Sequence, residues 1–160
     1  MSIGALFVKL SAGVEWSIHC CVVLSQAEAP VPSGRLADLH GVSKSYLVKH
    51  LQSLAGAGLV RPIEGRDGGY VLTRAPEEIT VLEIVQAVEG TRPAFRCTEI
   101  RQQGVLAAPP EACLSPCGIA TVMADAEQAW RESLSGTTVA DLSASVDTSR
   151  VKEVLTASSG

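Results

Sequence analysis

At 160 residues and 46% hydrophobic content, the chain can fill one core with some length left over, which points to one compact domain with an extension and excludes two independent domains. The formal net charge of −4 argues against indiscriminate nucleic-acid binding over the whole surface. No window is long or apolar enough to span a bilayer, and residues 1–11 carry only Lys9 with no long apolar stretch behind it, so the expectation is a cytoplasmic chain without membrane span or secretory signal.

From about residue 11 to 27, Val14, Ile18, Cys21, Val22 and Leu24 recur every three to four positions, the pattern of an amphipathic helix, and Pro30 and Pro32 stop it. Ser33 is the expected cap of a short second helix carrying Leu36, Ala37 and Leu39. His40-Gly41-Val42 then makes a tight turn, and Ser43 caps a third helix that runs to about Ala57 and is closed by Gly58. Residues 59–63 and 70–73 read as the two strands of a hairpin, with a charged, glycine-rich tip at 64–69: a wing. Thr80, with Glu83 three positions on, opens a helix through a capping box; Val81, Leu82, Ile84, Val85 and Val88 form its buried face, Gly90 closes it, and it is expected to pack under the wing. Residues 91–116 are irregular, broken by Pro93, Gly104, Pro109, Pro110 and Pro116. Ile119, Val122, Met123, Ala126, Trp130 and Leu134 then mark a long helix over 117–135, ended by Gly136, and the Ser/Thr-rich tail after Asp147 is expected to fray. The expected fold class is mainly α with a small β-wing: a winged helix-turn-helix over 11–90, an irregular loop over 91–116, and a long helix with its C-terminal segment over 117–147.

The charge is unevenly spread. Residues 35–74 hold six basic and three acidic side chains, a balance of +3, which leaves −7 for the remainder. A helix, a tight turn and a second helix opening with Ser43-Lys44-Ser45-Tyr46 is the geometry that sets a helix N-terminus in the major groove of DNA. Ser43, Lys44, Ser45, Tyr46, Lys49 and His50 are therefore the groove-facing or phosphate-facing candidates. Leu47, Leu51 and Leu54 are assigned to the core, and Arg66 at the wing tip has the charge and reach for the adjacent minor groove. Any one of these basic residues alone is ordinarily solvated surface; the helix-turn-helix and basic wing together carry the reading.

Val42-Ser43-Lys44-Ser45-Tyr46-Leu47, Gly58-Leu59-Val60, Gly68-Gly69-Tyr70-Val71-Leu72, Ile79-Thr80 and the stretch from Ala87 to Gly90 resemble the Rrf2 family of bacterial regulators, over nearly the whole chain. The resemblance implies a homodimer built on the long C-terminal helix, a winged helix-turn-helix on each side binding double-stranded promoter DNA, and, in many members, a cluster-binding group of three cysteines between the wing and the dimer helix. The five cysteines are odd in number and cannot all pair in disulfides, and in a reducing compartment they serve as ligands, redox sensors or small buried groups. Cys97, Cys113 and Cys117 are the candidate thiolate ligands, with fifteen residues between the first two and three between the last two, a wider gap than many family members show. Soft thiolates suit iron–sulfur clusters, and Cys117 at a helix N-terminus is biased toward thiolate.

Family members fill the remaining seat with a histidine shortly after the third cysteine or with an acidic residue from the first helix of the partner. Gly118, Ile119 and Ala120 follow Cys117, which removes the first option. Glu15 and His19, four apart on the first helix, share a face and offer a carboxylate and an imidazole. With two of the cysteines they complete a mixed-ligand [2Fe–2S] site that senses redox state across the dimer interface; Cys97 is favoured over Cys113 as Cys117's companion because it brings in the chain from the far side, and a [4Fe–4S] cluster is the alternative.

Plainer readings stand beside this one. A Glu–His pair at helical spacing is usually a surface contact. Cys20 and Cys21 are small core groups, Met123 and Trp130 are packing, and Trp16 is either core or a candidate relay for a switch. Within the same fold, a thiol-, nitric-oxide- or small-ligand-sensing regulator without a [2Fe–2S] cluster, or a zinc-binding one, remains open, and an iron–sulfur assembly accessory protein is the reading from another class. No nucleophile elbow, phosphate loop or catalytic constellation appears, so an enzyme is not expected.

Overall fold

A computed structural model describes residues 10–157; segments 1–9 and 158–160, which include Lys9 and most of the stretch weighed as a secretory signal, lie outside the described residues. In chain order the elements are α1 Ala12–Ser25, α2 Ser33–His40, α3 Lys44–Gly56, β1 Val60–Ile63, β2 Gly69–Leu72, α4 Val81–Glu89, α5 Gly118–Ser135, α6 Val139–Ser145 and α7 Ser149–Ala157, with short 3-10 turns at Pro76–Glu78, Ile100–Gln102 and Pro110–Cys113. The described residues form two compact units, one made of 10–90 together with 134–157, the other spanning 91–133.

The first unit is built around α1. The sequence reads as an amphipathic helix, but Val14, Ser17 and everything from Cys20 to Leu24 are buried, because α1 is covered by α3, α4, α6 and β2. A helix apolar over most of its circumference belongs inside a core, and only its N-terminal half keeps an open side. Leu36 of α2, Leu47, Leu51 and Leu54 of α3, Leu59, Ile79, Ile84 of α4 and Val139 of α6 complete the core. Each such side chain contributes about 1.5–3 kcal/mol through burial.

The helix-turn-helix is fixed by its turn. Gly41 ends α2 at φ 64, ψ 34, with its N–H on the Asp38 carbonyl at 3.2 Å and the Val42 N–H on Ala37 at 3.1 Å. A residue with a Cβ pays about 1–2 kcal/mol in that left-handed region. Ser33 is the first helical residue of α2 and not its cap; Pro32 occupies the cap position, where no amide hydrogen is needed. After α3 the Leu59 N–H returns to the Leu54 carbonyl at 3.0 Å and the Gly58 N–H to Ala55 at 3.0 Å, a Schellman closure that turns the chain into β1.

β1 and β2 pair antiparallel, Val60 opposite Leu72 and Ile63 opposite Gly69. Val31 adds a bridge to β2, exchanging hydrogen bonds with Tyr70 at 3.1 and 2.9 Å. That approach explains Gly69, where an added Cβ would meet the Val31 carbonyl group and the Pro32 nitrogen, the latter at 2.6 Å.

The capping box of α4 is present in full, Glu83 N–H to Thr80 Oγ1 at 3.2 Å and Thr80 N–H to Glu83 Oε2 at 2.9 Å. Its main packing partners are α1 and α3, not the wing under which it was expected. Of the tail after Asp147 that was expected to fray, residues 149–157 are helical. Thr138 and Asp141 form a second capping box at the head of α6, and Thr137 and Val139 bond to Val81 and Ile79. Asp147 then accepts the Ser149 N–H at 3.0 Å to start α7, whose Val151 and Leu155 pack on the core while Arg35 donates to the Val154 carbonyl at 2.9 Å.

In the second unit, the 3-10 turns at 100–102 and 110–113 pack on each other. α5 contains no buried residue. Its Arg131 pairs with Glu127 at 3.0 Å and donates to the Thr91 carbonyl at 3.0 Å.

Candidate DNA interface and metal-ligand set

The reading head is the N-terminal half of α3. Ser43, extended at φ −69, ψ 143, accepts the Tyr46 N–H at 3.3 Å and so starts the helix with Lys44 as its first residue. Ser43, Lys44, Ser45, Tyr46 and Lys49 are all exposed, while Leu47, Leu51 and Leu54 are buried. One helix thus shows solvent a row of hydrogen-bonding and cationic groups and buries its leucines. At the wing tip, a turn closed by Gly68 N–H on the Gly65 carbonyl at 3.1 Å leaves Arg66 exposed. Arg61 is exposed on β1 as well; it figured in the charge balance of the sequence but not among the candidates, since strand position alone did not show which face it takes.

His50 departs from expectation. Its ring lies over Gly13 of α1, where an added Cβ would meet the imidazole, with Nδ1 at 2.7 Å. Nε2 is buried without a hydrogen-bond partner, and the Tyr46 ring stands edge-on at 4.8 Å between centroids. Burial, helped by the neighbouring Lys49 charge, lowers its proton affinity. His50 is therefore a packing residue between α3 and α1, not a groove-facing donor.

Glu15 and His19 are exposed, one turn apart on the open side of α1. Between them Trp16 is half-buried against the core and meets the His40 ring edge-on at 5.8 Å, and His19 lies 6.0 Å from the same ring. His40 is the last residue of α2 and bonds the Leu36 carbonyl through Nδ1 at 2.7 Å.

Within the second unit, Cys97 is exposed and Cys113 and Cys117 are partly exposed, all as free thiols. Cys97 Sγ accepts the Glu99 N–H at 3.4 Å. Cys113 closes the 3-10 turn Pro110–Cys113. Cys117 immediately precedes α5, with its carbonyl accepting the Thr121 N–H at 2.9 Å, which sets its thiol at the positive end of the helix. Arg101 grips Glu99 with Nε–Oε1 and Nη2–Oε2 contacts of 2.6 and 2.9 Å and holds that carboxyl below the usual carboxylate range. Neither Glu99 nor Arg101 was a candidate, for only folding brings them beside the thiols.

Cys20 and Cys21 are the opposite case. Both are fully buried, and burial pushes their thiols up to about 12, with each other's company adding to the shift at Cys21. They are core groups, as read.

The donor chemistry fits an iron–sulfur group: three accessible thiols held in one compact unit, and a carboxylate and an imidazole side by side on a helix. Among the described residues of one chain, however, no three His, Cys, Asp or Glu side chains converge on a single point.

A helix-turn-helix whose second helix exposes a polar, basic N-terminal half, followed by a two-stranded wing with Arg61 and Arg66 exposed, defines a winged helix-turn-helix DNA-binding regulator. The Rrf2 family model, described as an iron-dependent transcriptional regulator, matches residues 10–145. The chain belongs to the Rrf2 family. It is 33% identical over 125 residues to YwgB of Bacillus subtilis, named as an HTH-type transcriptional regulator, covering 77% of this chain and 76% of that one. To the HTH-type transcriptional regulator IscR of Photorhabdus laumondii it is 38% identical over 76 residues, about half of each chain at 48% and 46%. Among solved structures, CymR, the global cysteine regulator of B. subtilis, superposes with a TM-score of 0.68 at 26% identity over 88% of this chain and 100% of that one. IscR of T. potens does so with a TM-score of 0.63 at 26% identity, covering 87% and 88%. No described helix is long and apolar enough to cross a membrane.

Proposed function

We propose that the chain is a cytoplasmic, homodimeric regulator of promoter DNA that senses redox state through a [2Fe–2S] cluster. Glu15 and His19 of one subunit and two of Cys97, Cys113 and Cys117 of the other hold it. The observation that carries this reading is the sorting of the donors: these five side chains are accessible, whereas Cys20 and Cys21 are sealed in the core. In this reading the second chain of the dimer supplies the remaining seats. When bound, such a group supplies a one-electron couple.

The chain's own residues do the rest. Lys44, Lys49 and Arg66 neutralise phosphates, Ser43, Ser45 and Tyr46 present hydrogen-bonding groups to base edges and backbone, and Trp16 links the Glu15/His19 turn to His40 at the end of α2. A dimer must set its two α3 helices roughly 34 Å apart to match successive major grooves, so a small change in subunit geometry lowers affinity.

The likeness to CymR, a cysteine regulator by name, favours a second reading in which the exposed thiols sense without a cluster. Anaerobic purification followed by an absorption spectrum and iron and sulfide assays separates the two. A coloured protein that loses iron in Glu15→Ala, His19→Ala and two of the three cysteine variants is expected; a colourless, iron-free wild type after reconstitution overturns the cluster. Equal promoter affinity in oxidised, reduced and apo protein would remove the switch.

A further inference from the structure

Fifteen residues separate Cys97 from Cys113, and a flexible loop of that length gives two thiols no fixed spacing. The second unit contains a link that shortens the path. Arg101 presents Nε and Nη2 to the Glu99 carboxylate as a fork, and the same Nη2 lies 3.5 Å from the Cys113 carbonyl oxygen. Its own carbonyl accepts the Ala108 N–H at 2.7 Å, so one residue ties both arms of the loop. On the other side, Glu99 adopts φ 54, ψ 53, the only left-handed non-glycine residue among those described, and in that conformation its N–H points at Cys97 Sγ. A strained residue of this kind persists where its surroundings hold it, and the Glu99 carboxylate is held by the two Arg101 contacts. Because Glu99 offsets most of the guanidinium charge, the pair acts by placing groups more than by its net field. An N–H aimed at a metal-bound thiolate compensates its charge and orients it, as outer-shell partners do.

We infer that the Glu99–Arg101 ion pair is a clasp that positions the Cys97 and Cys113 thiols for one shared thiophilic metal centre. The inference rests on the ligand set proposed above and extends it to two residues that ligate nothing themselves. Both are positioning residues: Arg101 holds the arms together and Glu99 aims the amide.

The test uses anaerobic, metal-free, full-length protein titrated with Cd2+ alone against a competing chelator, read by thiolate-to-cadmium charge-transfer absorption. Arg101→Ala and Glu99→Gln are each expected to weaken Cd2+ about three- to tenfold, as loss of a forked, partly exposed ion pair allows, and to reduce the band per bound metal. The double variant should be no weaker than either single one, since the two residues act as a unit. Arg96→Ala, which removes an exposed charge beside Cys97, serves as the control and should stay within about twofold of wild type, with helical content and melting temperature unchanged throughout. Wild-type affinity in Arg101→Ala, a loss no larger than that of Arg96→Ala, or a wild type without any thiolate–cadmium band overturns the clasp. Parallel iron and sulfide assays keep the two claims apart. A cluster in wild type with unchanged Cd2+ affinity in Arg101→Ala sinks the clasp alone, while a cluster-free wild type whose Cd2+ affinity still falls in that variant supports the clasp and sinks the cluster.

Discussion

The His50 ring sits against Gly13, where an added Cβ would meet the imidazole, and this makes Gly13 and His50 one joint between α1 and α3. Gly13→Ala drives a methyl toward the imidazole, which must swing aside, while the helix propensity of Ala returns about 1 kcal/mol, so the net destabilisation should stay below about 2 kcal/mol. Adding His50→Ala should recover part of the loss, since the two sites share one space, and urea unfolding of the two single variants and the double would measure the coupling. The same burial predicts a pH dependence. With its proton affinity lowered in the folded state, His50 stays neutral there while the unfolded chain, near the ordinary value of 6.5, takes up a proton. Stability conferred above 6.5 is therefore lost as pH falls below it, until folded His50 titrates too. His50→Gln should flatten that part of the curve, by less than the one-proton ceiling of about 1.4 kcal/mol per pH unit. The sequence placed His50 with the groove-facing residues because helical spacing sets it one turn from Tyr46. What turned it inward was a glycine on another helix, a long-range fact that local periodicity does not carry.

Elements were most legible where a local signal fixes them. The Thr80–Glu83 box, the Gly41 turn and the Gly58 closure each depend on residues within a few positions, and each is found as read. α7 was missed because its apolar content, Val151 and Leu155, is too sparse for periodicity; its stability comes from the Asp147 cap and from docking on the core. α1 was read as amphipathic because two-sided burial arises only when α4 and α6, remote in sequence, cover it. For the DNA-binding elements, α3 and the wing should contribute differently. Lys44 at the head of α3 and Arg66 at the wing tip are exposed, and removal of either should weaken promoter binding. If each contacts one phosphate, the slope of log affinity against log salt shrinks by about 0.9 per substitution. An Arg66→Ala variant that instead relaxes sequence preference at constant slope would mean that the wing reads the minor groove and not its backbone. Fluorescence anisotropy across a salt series distinguishes the two outcomes.

At the scale of the whole molecule, α5 poses the sharpest question, since a helix of 18 residues with none buried has little reason to hold its shape alone. Ile119, Val122 and Met123 remain 67%, 65% and 38% exposed, and their spacing sets them on one stripe. A second copy of α5 is the partner that the dimer reading requires. Val122→Glu should then yield monomers in sedimentation velocity, because a buried pair of like charges on facing helices is not tolerated. Binding to a two-half-site promoter should fall on the order of a hundredfold as the second contact ceases to be intramolecular. The ligand reading makes a stronger demand on the same variant. If Glu15 and His19 reach thiols of the other subunit, the monomer loses iron and sulfide together with its promoter affinity, although no ligand has been touched. Glu15→Ala, by contrast, should lose the cluster and remain dimeric. A monomeric Val122→Glu protein that still assembles a cluster after anaerobic reconstitution would place all the ligands within one chain, and would remove the dimer interface from the sensing mechanism while leaving DNA recognition by α3 intact.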